Sequence, residues 1–351
     1  MPIPHYRKYS MTKSFFPDSV FVVAELSANH NGSVERAESI IRAAADAGAQ
    51  AVKLQTYTAD TITIPCNNPY FHIKGTLWEG RTLYALYQEA QTPWEWTPRL
   101  MALAHDLHMK CFSTAFDPSS VDFLESIKMP CYKVASFEIV DIPLLKKIAS
   151  TGKPVIVSTG MASLAEIDEA VRTLRENGAG DLTLLKCTSA YPAPPEEANL
   201  RTIPHLAQTF HCRAGLSDHT MGSAVAVAAV SLGATMIEKH FTLARADGGP
   251  DGSFSMEPDE FKIMVRDIRT VEKALGNVSY ELTEKQKDSV VFRRSLFAVK
   301  DIKTGEAFNT GNIRSIRPGY GLSPRYLDTI TTKRATCDIR SGTPLSWEMI
   351  G

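Results

Sequence analysis

No stretch of this 351-residue sequence is apolar for long enough to cross a bilayer. The longest such run, around Ala224–Val230, covers about a third of a spanning helix. The first eighteen residues are basic and aromatic but lack an apolar centre. They read as an N-terminal extension (1–18), with Met11 as an alternative start, and not as a secretory signal. Excess charge is missing too. Lys and Arg number 38 against 39 Asp and Glu, so no global field is available to hold nucleic acid or an anionic membrane. The six cysteines contain no CxxC pair, and Cys111, Cys131 and Cys187 sit inside apolar runs. They read as free thiols in a reducing cytoplasm. What is present is ordinary: 44% hydrophobic and 22% charged residues exclude disorder, collagen and coiled coil. The length predicts two domains, or one barrel of about 250 residues plus a module.

Short β-branched runs alternate with longer stretches of helical period over the first 280 residues or so. The runs are Val20–Ala28, Ala51–Thr56, Met109–Phe116, Cys131–Ser136, Pro154–Gly160, Leu182–Ser189, Arg213–Thr220 and Met236–Leu243. Eight strand–helix units predict an α/β fold closed as a (β/α)8 TIM barrel over 19–280; an open doubly wound sheet is the alternative. Ser33, the Ser163/Glu166 pair and Pro258 suit helix starts. One connection, Thr56 to Trp94, is unusually long and aromatic, which suggests an active-site lid or substrate wall, or else an inserted helix packed on the barrel. A linker over 281–289 leads to a small β-rich module at 290–351. There Asp301-Ile302-Lys303-Thr304-Gly305 is echoed by Asp338-Ile339-Arg340-Ser341-Gly342, as in a fold of two similar halves. This module carries ten basic and five acidic residues, which suits either an anionic ligand or a solvated surface.

Barrels place reacting groups at the carboxyl ends of their strands. Those ends here supply Glu25, Lys53, Thr114, Lys133, Ser136, Glu138, Ser158, Ser189, Ser217, His219 and His240. Lys53 and Lys133 with the nearby hydroxyls can cradle a phosphate through charge-assisted hydrogen bonds. A lysine there can equally form a Schiff base or pair with Glu25 or Glu138. His219 and His240 end consecutive strands. They can share a divalent ion in an open site, with Asp218 and Glu238 orienting the rings, or be plain hydrogen-bonded histidines. Asp251, in a glycine-rich turn, can accept sugar hydroxyls or sit in a surface loop.

Several strings in order resemble the sialic acid synthase family: Ala28-Asn29-His30-Asn31-Gly32, Val52-Lys53-Leu54-Gln55-Thr56, Tyr132-Lys133-Val134-Ala135-Ser136, Cys187-Thr188-Ser189-Ala190-Tyr191-Pro192, Gly215-Leu216-Ser217-Asp218-His219-Thr220 and Glu238-Lys239-His240-Phe241-Thr242. The tail, with Arg317-Pro318-Gly319-Tyr320-Gly321, resembles the antifreeze-like (SAF) module. Ala24-Glu25-Leu26-Ser27-Ala28-Asn29-His30-Asn31 and Leu77-Trp78-Glu79-Gly80-Arg81 resemble the pseudaminic branch. The resemblance implies a cytoplasmic transferase. It condenses phosphoenolpyruvate with the open-chain aldehyde of 2,4-diacetamido-2,4,6-trideoxy-L-altrose. The neuraminate and legionaminate branches are the alternatives.

It also implies roles. Lys53, Thr114, Lys133, Ser136, Ser158, Ser189 and Ser217 would hold phosphoenolpyruvate; where Ser189 stands, the neuraminate pattern more often has Asn. His219 and His240 would hold Mn2+ or Mg2+, with Co2+ also possible. Glu138 would position water, and Glu25 would contact the sugar or assist proton transfer. Tyr191, Asp251 and Arg317 of the partner subunit would line the sugar site, in a domain-swapped homodimer. Two other classes remain as rivals: a Schiff-base aldolase and a carbohydrate-binding protein.

Overall fold

The computed structural model describes residues 15–351. Eight parallel strands close on themselves. They are β1 Phe21–Glu25, β2 Ala51–Thr56, β3 Lys110–Ala115, β4 Tyr132–Val134, β5 Val155–Ser158, β6 Leu182–Cys187, β7 Arg213–Asp218 and β8 Met236–His240. β8 pairs back onto β1, His240 opposite Glu25, so the open-sheet alternative falls. Most strands stop short of the predicted runs. β1, for example, ends at Glu25 because the chain then turns into a 3-10 helix at Ser27–His30, and the ladder has nothing further to pair.

Successive strand side chains point to opposite faces. On β2, Val52 and Leu54 join the apolar layer under the helices, whereas Lys53 and Gln55 face the lumen. The helices start where expected. The Ser33 hydroxyl accepts the Arg36 N–H at 3.2 Å, and Ser163 and Glu166 exchange bonds at 3.3 and 2.7 Å. Each such cap is worth about 1 kcal/mol. Helix Pro258–Leu275 begins at its proline. Phe15 lies edge-on to Phe16, Phe21 and Phe112, so these last residues of the expected extension pack on the barrel; 1–14 fall outside the described residues.

The long connection contains helices Ala59–Ile62 and Leu83–Ala90 and a 3-10 turn, Pro69–Phe71. It carries an inserted helix, Leu83–Ala90, and that helix lines the cavity described below. All six cysteines are free, four of them buried.

The chain divides after Gly276, and the second unit runs Asn277–Gly351. A short helix, Glu284–Ser289, occupies the expected linker. The unit's core is separate, built around Leu296, Ile302, Phe308, Ile313, Ile339 and Leu345. β9 (Ser295–Ala298) pairs antiparallel with β10 (Ile313–Ile316). The sequence echo is a structural one. Ile302 and Ile339 exchange both backbone bonds at 2.8 Å. Asp301 accepts the Ser341 N–H at 2.8 Å, and Asp338 accepts the Thr304 N–H at 2.9 Å. Each half thus caps the same turn of the other.

Candidate active site

One cavity of about 490 Å3 is lined by the carboxyl ends of the barrel strands and by the long connection. Glu25, Lys53, Thr114, Lys133, Ser136, Glu138, Ser158, Tyr191, Ser217, His219, His240 and Asp251 all line it. Ser189 lies just behind, its hydroxyl 2.9 Å from that of Ser136. Gly160, at φ +43°, is what lets these two serines meet: a Cβ there would collide with Ser136 and crowd Ser189. Arg317 belongs to the second unit and is exposed.

The floor is a buried charge cluster. The Lys53 ammonium sits 2.8 Å from both Glu25 and Glu238, and the Lys133 ammonium lies 3.3 Å from Glu238. The Ser217 hydroxyl donates to the same Glu238 oxygen at 3.0 Å. Burial favours the neutral forms, but at Lys53 two carboxylates outweigh it and the ammonium is held more firmly than usual. At Lys133 burial wins, helped by repulsion from Lys53, and the amine is pushed down despite Glu238. Burial also works against the Glu25 carboxylate, yet His240, Lys53 and Lys133 together hold it well below the usual range. Glu138 has too little help from Lys133, so burial pushes its carboxyl up to about 7.

The two imidazoles converge, with ring centroids 5.3 Å apart. The expected orienting partners do not. Asp218 points to the other face of β7, where it binds Lys239 at 2.7 Å and the Thr220 N–H and hydroxyl. Glu238 serves the lysines. The Thr188 carbonyl orients His219 instead. It can only accept, so at 2.9 Å it takes the Nδ1 proton and leaves Nε2 with its lone pair. His240 Nε2 lies 3.3 Å from Glu25, and its Nδ1 is buried without a partner. Among the described residues no three His, Cys, Asp or Glu gather as a metal cluster. Two imidazoles with open nitrogens fit a divalent ion that completes its shell from water and substrate oxygens.

An aromatic group packs over these rings: Tyr191 lies 4.4 Å from His219, 5.2 Å from Phe254 and 5.8 Å from Trp78. Trp78 donates to the Pro250 carbonyl at 2.9 Å and so ties the long connection to the turn after β8. The rest of that wall is mostly apolar, with Ile62, Ile73, Leu83, Leu86, Ala90 and Phe116 beside Tyr57 and Tyr87. Among the lining residues to which the sequence assigns no specific chemical role are Ser27, Gln55, Tyr57 and Trp78. Gln55 was within reach of the sequence, since it stands two positions beyond Lys53 on one strand face. Trp78 was not, because nothing local aims a loop residue.

A closed barrel with buried lysines, histidines and carboxylates at one mouth defines an enzyme of anionic small-molecule chemistry. The comparisons narrow this. Residues 40–280 match the NeuB family and residues 293–351 the SAF domain. The chain belongs to the NeuB family. It is 45% identical to a Campylobacter jejuni pseudaminic acid synthase over 93% of this chain and 95% of that one. A C. jejuni N,N'-diacetyllegionaminic acid synthase is 40% identical over 90% and 95%. Among solved structures, the Bacillus subtilis spore coat polysaccharide biosynthesis protein SpsE superposes with a TM-score of 0.64 at 36% identity, covering 95% of each chain.

Proposed function

We propose that this chain is a nonulosonate-forming transferase of pseudaminic acid synthase type. It joins phosphoenolpyruvate to the open-chain aldehyde of 2,4-diacetamido-2,4,6-trideoxy-L-altrose, takes up water and releases phosphate. One observation carries the reading. Of seven buried side-chain polar atoms without a partner among the described residues, four belong to the cavity lining, on Glu138, Ser158, Glu238 and His240. Orphaned groups are costly, and a polar ligand among them recovers that cost.

Lys53 and Lys133 face the phosphate and carboxylate of phosphoenolpyruvate, with Thr114, Ser136, Ser158, Ser189 and Ser217 donating hydrogen bonds. A divalent ion held by His219 and His240, Mn2+ or Mg2+ by preference and Co2+ as a further option, would supply Lewis-acid polarisation of the aldehyde oxygen. C3 of phosphoenolpyruvate bonds to the aldehyde carbon, the carbonyl π pair moves onto the aldehyde oxygen, which takes up a proton to become a hydroxyl, and positive character develops at C2. Glu138 holds the water that adds to C2 and accepts its proton, a task suited to a carboxyl near neutrality. The C2–O bond to phosphate then breaks as the new C2 hydroxyl gives up its proton and becomes the ketone carbonyl, and inorganic phosphate leaves. Glu25 stays anionic beside His240 and contacts the sugar or assists proton transfer.

The apolar wall from the long connection favours acyl methyls and a deoxygenated C6 over hydroxyls, which supports a trideoxy sugar over N-acetylmannosamine. A Schiff-base aldolase would need a readily deprotonated lysine. Lys53 is held charged by two carboxylates, which weighs against it there. A carbohydrate-binding protein has no use for paired buried lysines. By likeness to the family, Arg317 of the partner subunit would reach the sugar in a swapped homodimer. No helix among the described residues is long and apolar enough to cross a membrane. The free thiols support a cytoplasmic setting.

Phosphate release from phosphoenolpyruvate tests the reading, with the L-altro sugar, its D-manno isomer and N-acetylmannosamine compared. Fastest release with the L-altro sugar is expected. Release with N-acetylmannosamine alone overturns the trideoxy assignment.

A further inference from the structure

Six non-glycine residues among those described lie at positive φ. Asn31 and Asn199 are of a type that tolerates it, and His108, Lys128 and His211 follow helix ends. Ser27, at φ +47°, has neither excuse. It is buried, it follows β1, and it lines the cavity. Backbone strain of this kind persists only where the surroundings over-determine it. The surroundings are two bonds made by one hydroxyl. Ser27 Oγ donates to Asp251 Oδ2 and accepts from Gln55 Nε2 at 3.2 Å. The Gln55 amide also donates to Glu25 Oε1 at 2.9 Å. The Ala28 N–H reaches the same Asp251 oxygen at 3.3 Å.

Asp251 has little else to fix its carboxylate. Its loop is anchored nearby, by Arg36 on Asp247 at 2.7 Å and by Trp78 on Pro250, but no side chain other than Ser27 is bonded to the Asp251 carboxylate among the described residues. We propose that Ser27 is a positioning residue. Its left-handed backbone aims one hydroxyl so that Asp251 is held in the sugar subsite, in register with Glu25 through Gln55. The assignment rests on the sugar-condensing reading of the cavity. It makes the sugar end of the pocket, not the phosphoenolpyruvate end, depend on residue 27.

Glycine occupies this backbone region without strain, so Ser27→Gly removes the hydroxyl without forcing a misfold. The expected result is a sugar KM raised about tenfold, the usual scale for a lost bond to a charged group. The phosphoenolpyruvate KM and kcat should stay within about twofold, and the melting temperature should be no lower than wild type. Ser27→Ala, which keeps the Cβ, should show the same sugar KM. Because Ser27 acts through Asp251, adding Ser27→Gly to Asp251→Asn should raise the sugar KM no further. An unchanged sugar KM in Ser27→Gly, an equal rise in both KM values, or additivity with Asp251→Asn overturns the assignment. Wild-type protein that releases no phosphate with any of the sugars overturns the functional reading instead, so the two failures are distinguishable.

Discussion

Glu138 is the residue whose environment most directly sets a pH dependence. Burial carries its carboxyl from an ordinary 4.5 to about 7. Between those values the unfolded chain has released the proton and the folded chain has kept it, so stability falls as pH rises through that window and stays reduced above it. Glu138→Gln removes the penalty. Its melting temperature should exceed wild type at pH 8 and match it at pH 4, while turnover drops by about two to four orders of magnitude. Thermal melts at the two pH values and a phosphate-release assay check both halves. The lysines should separate as well. Lys133 has one carboxylate at 3.3 Å where Lys53 has two at 2.8 Å, so its ammonium gains more from an incoming anion. Lys133→Met should raise the phosphoenolpyruvate KM with modest loss of stability. Lys53→Met takes the nearest cation away from two buried carboxylates and should cost several kcal/mol of stability besides. Denaturant titration distinguishes them.

At the level of elements, period-two patterning carried far into the site. Lys53, Lys133, Ser217, His219 and His240 were legible because strands that start apolar and end polar deliver inward side chains to one mouth. The same rule places Asp218 on the opposite face from its neighbours Ser217 and His219, which is why it cannot orient a ring. What stayed hidden is what depends on pairings between distant strands. The ion pairs of Glu238 join residues whose spacing says nothing, and Trp78 reaches Pro250 across 172 positions. That second link should matter. Trp78→Phe keeps an aromatic ring, although a smaller one, and loses the N–H bond, and a sugar KM raised a few-fold with unchanged phosphoenolpyruvate KM is expected from steady-state kinetics. Strand ends were over-extended because β-branched residues favour extended backbone whether or not a neighbour completes the ladder.

For the molecule as a whole, the proposal that Arg317 serves a partner's barrel can be tested by mixing variants. If Arg317 acts in trans, mixing Arg317→Ala with His240→Ala protein allows dimers in which the barrel of one and the tail of the other rebuild an intact site. The mixture should regain activity that neither variant has, as measured after subunit exchange; no regain would put Arg317 in its own chain's site or outside any. The echo within the tail was readable from sequence, although its reciprocal Asp301 and Asp338 caps were not. The charge cluster on the barrel floor also bears on the full catalytic cycle. Two cations already neutralised by two anions let the empty enzyme fold without a guest. They also make every arriving anion compete with resident ones for the same ammonium groups. In the proposed reaction, bare lysines would grip the departing phosphate; the resident carboxylates, 2.8 Å from Lys53 and 3.3 Å from Lys133, would compete with it for both amines and ease its exit.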